Sequence, residues 1–272
     1  METKPGPSAL YGNHLWIALI SLAAGGFILL AYVLVSAYEE VWDDTRITVS
    51  NQSELLEARF DGALRRIDVS LEELTWRIPK ESLLVGADAR FRPAIESELE
   101  RLQRLFPEIA GFRVIDADGN LRYLSGGGEY VNLADRSYFE TPKGGIGSAI
   151  HFSEVIKSRI TGRDTFVVAR PIRTVDGRFI GLVSAAVELD HFQKLLDTAP
   201  LGVSGAVAIR RSDNHALILR QPPVPGEINR PLNPAHPILQ LIKPGQRQAV
   251  LDFTAQSDGV KRVYGYRALE HY

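Results

Sequence analysis

The stretch LADRSYFE, residues 133–140, places charged and aromatic side chains close together. An acid (Asp135), a base (Arg136) and two aromatic residues (Tyr138 and Phe139) fall within five positions, shortly after the glycine-rich segment SGGGEY. Three interpretations fit: a catalytic loop, a ligand clamp, or the first turn of a helix. In the last of these, Asp135 caps the helix, the aromatic rings lie in the core and Arg136 points to solvent. Which of the three interpretations holds depends on the structural elements that surround this stretch.

Sequence motifs of enzyme and metal chemistry do not occur. The six histidines form no HExxH pattern and no close pair, and the chain has no Cys, so neither a metal site nor a cofactor is expected. The segment GGIGS lacks the Lys-Ser/Thr ending of a phosphate-binding loop, and neither GxGxxG nor GxSxG occurs. Asp116 and Asp118 flank a hairpin turn, which explains them without catalysis. The sequence therefore predicts a protein that is not an enzyme.

The composition is that of an ordinary globular protein, and 272 residues suffice for two modest domains. Hydrophobic residues make up 45% and charged residues 24% of the chain, with a net charge of -2. Because Lys and Arg are scattered and the net charge is small, we expect no nucleic-acid partner. The lack of Cys suits an oxidising compartment.

An uncharged apolar segment over residues 15–37, LWIALISLAAGGFILLAYVLVSA, predicts a transmembrane helix. At about 1.5 Å per residue it spans roughly 34 Å, enough to cross the hydrocarbon core of a bilayer. A cleaved signal peptide is the alternative, but its apolar region runs only ~7–15 residues. We therefore expect an uncleaved anchor in the lipid bilayer, preceded by a short cytoplasmic tail at 1–14. Lys4 precedes the span and Arg46 follows it, so the positive-inside rule hardly distinguishes the two orientations. We place the bulk of the chain outside the cytoplasm.

A long amphipathic helix is predicted directly after the membrane segment, over residues 38–78. Residues 38–78 contain no Pro, and Gly62 is the only Gly in this range. The pattern predicts a stalk packed along a sheet domain, and its near-heptad stripe also favours a homodimer seam. The apolar residues that form the stripe are Leu56, Phe60, Ala63, Ile67, Leu71, Leu74 and Ile78.

Beyond residue 110 the pattern changes from helical to alternating, which predicts an antiparallel sheet unit over residues 79–200. Strands are separated by turns at residues 118–119, 161–162 and 176–177, and HFQKLLDTA closes the unit as a short helix. Five strands with helices on one face are expected.

A second, smaller unit over residues 201–272 repeats the order hairpin, helix, hairpin. Its hairpins turn at residues 213–214 and 258–259. It has no counterpart to the strand FIGLVSAAVEL, so the edge at Tyr272 would stay unpaired. We therefore expect the sequence to be a fragment, continued by another strand and a second transmembrane helix.

This order of parts resembles the double Cache sensor domains of bacterial membrane receptors, over residues 15–272. The segments that carry the resemblance are DRSYFE, SRITGRDTFVVARPI and GRFIGLVSAAVELDHFQKLL. It implies an α+β fold with two tandem PAS-like antiparallel-sheet subdomains, a membrane-distal ligand-binding one at 79–200 and a truncated membrane-proximal one at 201–272. The chain is similar to versions that precede diguanylate cyclase outputs. The resemblance also implies a bacterial inner-membrane protein whose sensor lies in the periplasm.

In the family, the distal subdomain binds a small molecule between its sheet and a loop-helix segment that covers it. Carried over to residues 126–140, the resemblance implies that Arg136 binds a ligand carboxylate as a bidentate pair, while Tyr138 and Phe139 wall its apolar body. The full candidate ligand-binding set is Asp135, Arg136, Tyr138, Phe139, Tyr123, Tyr130 and Arg159.

The amino-acid-binding members of the family have a Tyr and an Asp on the third strand and an Asp on the fifth strand. Here Ile156 and Ser158 fall near the third-strand positions, and Ala186 falls near that of the fifth-strand Asp. No carboxylate is left there to receive an ammonium group, which argues against an amino-acid ligand. A carboxylate ligand, or none, remains open.

These observations lead to a sensor that relays ligand binding across the membrane to a cytoplasmic output outside this sequence. A cyclase, a kinase or a chemotaxis signalling domain would fit as that output. Two alternatives remain: a ligand-independent dimerisation scaffold, and a membrane-anchored periplasmic hydrolase, for which no nucleophile-base pair can be recognised. The sensor interpretation requires a hollow space beneath the cover, lined by a guanidinium and aromatic rings.

Overall fold

The computed structural model describes residues 8–84, 86, 88–145, 149–202, 205–254 and 259–272. Residues 1–7 of the expected tail, and Asp258 of the predicted last turn, lie outside the described residues. The first helix, α1, is continuous from Ser8 to Arg77, so the predicted membrane and stalk segments form one helix. The later helices are α2 (Asp88–Gln103), α3 (Ser137–Gly144), α4 (Leu189–Asp197) and α5 (Pro237–Leu241), with a short 3-10 helix at Lys80–Leu83.

One helix among the described residues is long and apolar enough to cross a membrane, and it lies near the N-terminus. Its apolar part is exposed throughout, with Trp16, Leu22 and Phe27 each more than half exposed. A soluble fold buries such side chains, and a bilayer provides the apolar surroundings they need. The helix therefore fits the predicted single membrane span.

An antiparallel sheet forms the centre of the fold. Its strand order is β2-β1-β6-β5-β3, and β4 also pairs with β5. Six strands are present instead of the expected five, because two two-residue strands pair with β5. The strands are β1 (Ile109–Asp116), β2 (Leu121–Leu124), β3 (His151–Phe152), β4 (Ile156–Lys157), β5 (Asp164–Arg173) and β6 (Phe179–Glu188).

The two faces of this sheet contribute to two separate apolar cores. On one face Phe112, Val168 and Val183 pack with the apolar stripe of α1, which confirms the predicted contact between stalk and sheet. On the other face Ile115, Val167 and their neighbours pack beneath the loop and helix of residues 131–139. The expectation of helices on one face only is wrong, because α3 covers the second face. Since strand side chains alternate, neighbouring residues of β1 belong to different cores.

The predicted turn between β1 and β2 is confirmed, and its hydrogen bonds explain the acids around it. Oδ1 of Asp116 accepts the backbone N–H groups of Asp118 and Asn120 at 3.0 and 2.9 Å. Gly119 has φ +85°, a left-handed conformation that favours glycine. Asp116 is therefore a turn-forming residue, as the sequence indicated.

The chain divides into two compact units, Met1–Leu55 with Ile242–Arg267, and Leu56–Leu241 with Ala268–Tyr272. The hairpin of β7 (Val207–Arg210) and β8 (Leu217–Gln221) belongs to the second unit. The hairpin of β9 (Gln248–Thr254) and β10 (Lys261–Arg267) belongs to the first. The predicted order of hairpin, helix and hairpin is confirmed, but the hairpins form two separate two-stranded sheets. The subdomain boundaries at 79–200 and 201–272 stay predictions.

Within the first unit, the β9-β10 hairpin is held to α1 by ion pairs. Arg46 bonds to Asp252, and Nη2 of Arg267 lies 2.9 Å from Oε2 of Glu54. Gly265 faces the helix so closely that an added Cβ would lie 2.8 Å from Val49. The β9-β10 hairpin thus packs directly against α1.

Candidate ligand-binding site

A small cavity lies on the second face of the sheet, beneath the segment that includes α3. The volume open to the centre of a water-sized sphere is about 20 Å³. That is room for roughly one water molecule, against the ~300–1,000 Å³ of pockets that enclose drug-sized ligands. The cavity is lined by Arg113, Leu133, Arg136, Tyr138, Ile156, Ser158, Arg159, Ile160, Thr165, Val167 and Ala186.

Arg136 begins the covering helix and reaches the cavity. It occupies the N-cap position of α3 with extended backbone angles, and no side chain caps the helix there. The alternative in which Asp135 caps the helix and Arg136 points to solvent is therefore wrong. Arg136 is half-buried, and its Nε is closed off from solvent without a hydrogen-bond partner among the described residues. Its guanidinium thus keeps donors available inside the cavity.

The two adjacent aromatic residues of α3 take different roles, as their spacing requires. Tyr138 lines the cavity and is 6% exposed. Phe139 lies in the core beside it, with its ring edge-to-face against Phe179 at 5.7 Å between centroids. Because neighbouring helical positions point about 100° apart, only one of the pair reaches the cavity.

Asp135 and Arg159 form an ion pair at the mouth of the cavity. Nη1 and Nη2 of Arg159 donate to the two carboxylate oxygens of Asp135 at 2.8 and 2.6 Å. The arginine also donates to the backbone carbonyl of Asn132 at 3.2 Å. Asp135 itself does not line the cavity. The pair joins the chain before α3 to the turn after β4.

The other end of α3 is held by a strand residue. Arg173, at the end of β5, donates from Nη2 to the carbonyls of Pro142 and Gly145, both at 2.6 Å. A cation suits the C-terminal carbonyls of a helix, which carry partial negative charge. The cover is thus attached to the rest of the unit at both ends.

Arg113 is a cavity residue that the sequence analysis did not single out. It lies on β1 opposite Ser184 of β6 and is 5% exposed. Its Nε has no hydrogen-bond partner among the described residues. A charge inside the apolar run GFRVID was the available indication, because buried charges in proteins are generally paired or functional. Leaving a buried charge without its partner typically costs roughly 3–5 kcal/mol.

The electrostatics of the cavity favour negative charge. Burial lowers the pKa of the Arg113 guanidinium, and the nearby Tyr138 hydroxyl partly opposes this shift. Burial raises the pKa of Tyr138, against the influence of Arg113, Arg136 and Arg159. Hydrogen bonds from Arg159 lower the pKa of Asp135, which keeps the ion pair charged at neutral pH. Three guanidinium groups and one carboxylate therefore surround the Tyr138 hydroxyl.

Tyr123 and Tyr130, the other two tyrosines of the candidate set, do not line the cavity. Tyr123 is fully buried, and its hydroxyl donates to the backbone carbonyl of Ser82 at 2.8 Å. Tyr130 is 49% exposed and its hydroxyl bonds to Glu96. The structure thus brings Arg136, Tyr138 and Arg159 together and places Asp135, Phe139, Tyr123 and Tyr130 around or away from them.

The positions that correspond to the strand Tyr and Asp residues of amino-acid receptors do lie at the cavity, and none of them is acidic here. Ile156, Ser158 and Ala186 all line it. Among the cavity-lining residues in the described part of the chain, none is Asp or Glu. An ammonium group bound here would therefore lack a carboxylate partner.

One group of side chains among the described residues has a composition that suits a metal ion: Asp61, Glu270 and His271. Asp61 already accepts hydrogen bonds from the backbone and ring of His271. These bonds give the acid a structural role, and the absence of a metal stays a prediction.

A sheet packed on helices, with a loop-helix cover over a cavity on its other face, defines a mixed α+β domain with a covered cavity. Residues 36–271 match the family model dCache_1, described as Cache domain. The chain belongs to this family of double Cache domains, as the sequence resemblance indicated. Cache domains are sensors, and the domain is non-catalytic.

Solved structures of receptor domains share this fold. The extracellular domain of rpHK1S-Z16, described as a histidine kinase, is 24% identical with a TM-score of 0.68, covering 87% of this chain and 92% of its own. The ligand-binding domain of the Pseudomonas fluorescens chemoreceptor CtaA, in complex with L-serine, is 15% identical (TM-score 0.57, 81% and 88% covered). The ligand-binding domain of the Pseudomonas aeruginosa amino acid chemoreceptor PctC, in complex with GABA, is 18% identical with a TM-score of 0.53. The match covers 83% of this chain and 99% of that domain. No curated protein is significantly similar in sequence.

Proposed function

We propose that the chain is the extracytoplasmic small-molecule sensor of a bacterial transmembrane signalling protein, and that its cavity binds a ligand carrying a carboxylate. The observation that carries the proposal is a pair of arginines, Arg113 and Arg136. Both line the cavity, and the buried Nε atom of each has no hydrogen-bond partner among the described residues. A carboxylate supplies the acceptors that a guanidinium fork requires. Tyr138 and the aliphatic residues provide walls for the ligand body.

The class of ligand proposed for this chain differs from the ligands of the chemoreceptor domains that share its fold. The CtaA and PctC domains were solved in complex with L-serine and GABA, which carry an ammonium group as well as a carboxylate. Here Ser158 and Ala186 line the cavity near the positions of the two acidic residues of amino-acid receptors. The residues thus favour a carboxylate without an ammonium group.

The membrane arrangement in the proposal follows from the order of elements. The N-terminal apolar helix anchors the chain in the inner membrane, the sensor lies in the periplasm, and a second copy pairs along α1. Ligand binding shifts the sensor between two states with different affinity, and the membrane helices carry that shift to a cytoplasmic output such as a diguanylate cyclase. Residues 79–200 act as the membrane-distal ligand-binding part and 201–272 as the membrane-proximal part.

A thermal-shift screen of the full chain in detergent micelles tests this proposal. Organic acids, amino acids, polyamines and purines would be compared for the wild type and Arg136→Ala. We expect at least one organic acid to raise the melting temperature of the wild type and not that of the variant. Arg104→Ala, which removes an exposed arginine away from the cavity, is the matched control and should respond as the wild type does.

A second candidate function is a ligand-independent dimerisation scaffold, which the small volume of the cavity favours. This alternative predicts that no compound shifts the melting temperature and that Arg136→Ala leaves it unchanged.

A further inference from the structure

The cavity contains more positive charge than its own residues neutralise. Arg113 and Arg136 both present guanidinium groups without hydrogen-bond partners at Nε in the described chain. Arg159, the third guanidinium, is already bound at both terminal nitrogens by Asp135. None of the described lining residues is acidic, so the lining itself offers no carboxylate to Arg113 or Arg136.

We infer that the cavity binds a small dicarboxylate, with one carboxylate on Arg113 and the other on Arg136. The inference rests on the proposed sensor function and narrows its ligand class. Each guanidinium offers parallel donors that match one carboxylate, so two unpaired guanidinium groups match two. A monocarboxylate would leave one buried arginine without a partner.

The walls of the cavity favour an organic dianion over an inorganic one. Leu133, Ile156, Ile160 and Val167 are aliphatic and offer contact to a short hydrocarbon chain. An inorganic oxyanion exposes acceptors in all directions and gains nothing from these side chains. The hydrocarbon chain between the two carboxylates of an organic dianion can pack against these aliphatic side chains.

The two arginines belong to different parts of the fold, so a dicarboxylate that binds both would also connect those parts. Arg113 lies on β1, in the sheet, whereas Arg136 lies at the start of α3, in the cover. A ligand that binds both arginines therefore links the cover to the sheet. The space for about one water requires that the cover move when the ligand enters. A monocarboxylate on one arginine would not make this link.

Titration calorimetry of the full chain in detergent micelles tests the inference. The probes are malonate, succinate, propionate, L-serine and inorganic phosphate. We expect malonate or succinate to bind at least about tenfold more tightly than the other three. Arg113→Met and Arg136→Gln should each weaken dicarboxylate binding by about 10–100-fold. Arg104→Ala should leave the affinity unchanged.

The variants are chosen so that misfolding is not mistaken for lost binding. Arg113→Met replaces a buried charge by an apolar side chain of similar length, which proteins generally tolerate. Arg136→Gln changes a half-buried position, and circular dichroism and melting temperature check both variants. Binding retained in folded Arg113→Met would overturn the dicarboxylate inference, as would phosphate, propionate or serine binding as tightly as succinate. The sensor proposal would survive either result, whereas silence of every compound in the wider screen would remove both.

Discussion

Asp61 of α1 and His271 lie 210 positions apart in the sequence and are joined by two hydrogen bonds. The backbone N–H of His271 donates to Oδ1 of Asp61 at 3.0 Å, and its Nδ1 lies 2.7 Å from Oδ2. The next residue, Tyr272, donates its hydroxyl to Asp68 on the same helix at 3.2 Å. The segment after β10 is thus held to the helix that also packs on the sheet.

This contact makes folding stability depend on pH. Burial alone would raise the pKa of Asp61, but the hydrogen bonds and charge of His271 outweigh it and lower the pKa below that of an unfolded Asp. A lowered folded-state pKa contributes stability above about pH 4, and this contribution is lost as pH falls through the folded value. Urea unfolding at several pH values should show that Asp61→Asn is less stable than the wild type at pH 7 and that the difference shrinks towards pH 2. A difference independent of pH would contradict this account.

Tyr123→Phe should destabilise the fold without changing ligand binding. The variant removes a buried hydroxyl and leaves the Ser82 carbonyl without that donor, so we expect a loss of about 1–2 kcal/mol in the free energy of unfolding. Tyr130→Phe, at an exposed position, should cost less than about 0.5 kcal/mol. Denaturant titration measures both, and weaker ligand binding in Tyr123→Phe would instead place this tyrosine in the site.

Gly181→Ala should disturb the sheet at the contact between β1 and β6. Gly181 has φ +154°, and an added Cβ would lie 2.3 Å from the carbonyl oxygen of Ile115. Because the obstacle is backbone, we expect a loss of about 3 kcal/mol or more. Gly177→Ala has a left-handed φ of +84° but no neighbouring atom within 4 Å, so it should cost only about 1–2 kcal/mol. Equal losses in the two variants would show that the close approach of the strands is unimportant.

Asp135→Asn distinguishes two roles for the acid at the cavity mouth. If it only neutralises Arg159, its removal adds net positive charge and should tighten dicarboxylate binding about 2–5-fold at low salt. If instead Asp135 contacts the ligand, binding should weaken. Because the ion pair is exposed, we expect the melting temperature to change by no more than about 2 °C. Asp164→Asn, an exposed acid elsewhere on the unit, is the matched control for calorimetry.

Patterns of local sequence were sufficient for much of the architecture. The three- and four-residue spacing of Phe60, Ala63 and Ile67 predicted the buried face of α1, since a helix brings such positions to one side. Likewise, the Asp-Gly pair at 118–119 predicted the hairpin between β1 and β2. The segment HFSEVIKSRI was predicted as one strand but forms two short ones, β3 and β4, because strands of two residues are too short to show an alternating pattern.

The candidate site was harder to predict because it depends on pairing between distant segments. Arg136 and Tyr138 could be identified from one helix start, but Arg113 reaches the same cavity from β1, which joins the sheet beside β6. The alternation of side chains along β1 predicts on which face of the sheet Arg113 lies. It does not predict that α3 covers that face. The partner of Arg159 was also missed, since an ion pair across 24 positions has no periodic sequence pattern.

The attachment of α3 to Arg173 determines how the cover opens. Two short hydrogen bonds hold the Pro142 and Gly145 carbonyls to β5, whereas the opposite end is held by the exposed pair of Asp135 and Arg159 and by an exposed hydrogen bond from Ser137 to Glu154. Exposed ion pairs are weak and screened by salt, so that end releases first. Opening should then be a swing about a pivot at Arg173, with the entrance on the Asp135 side.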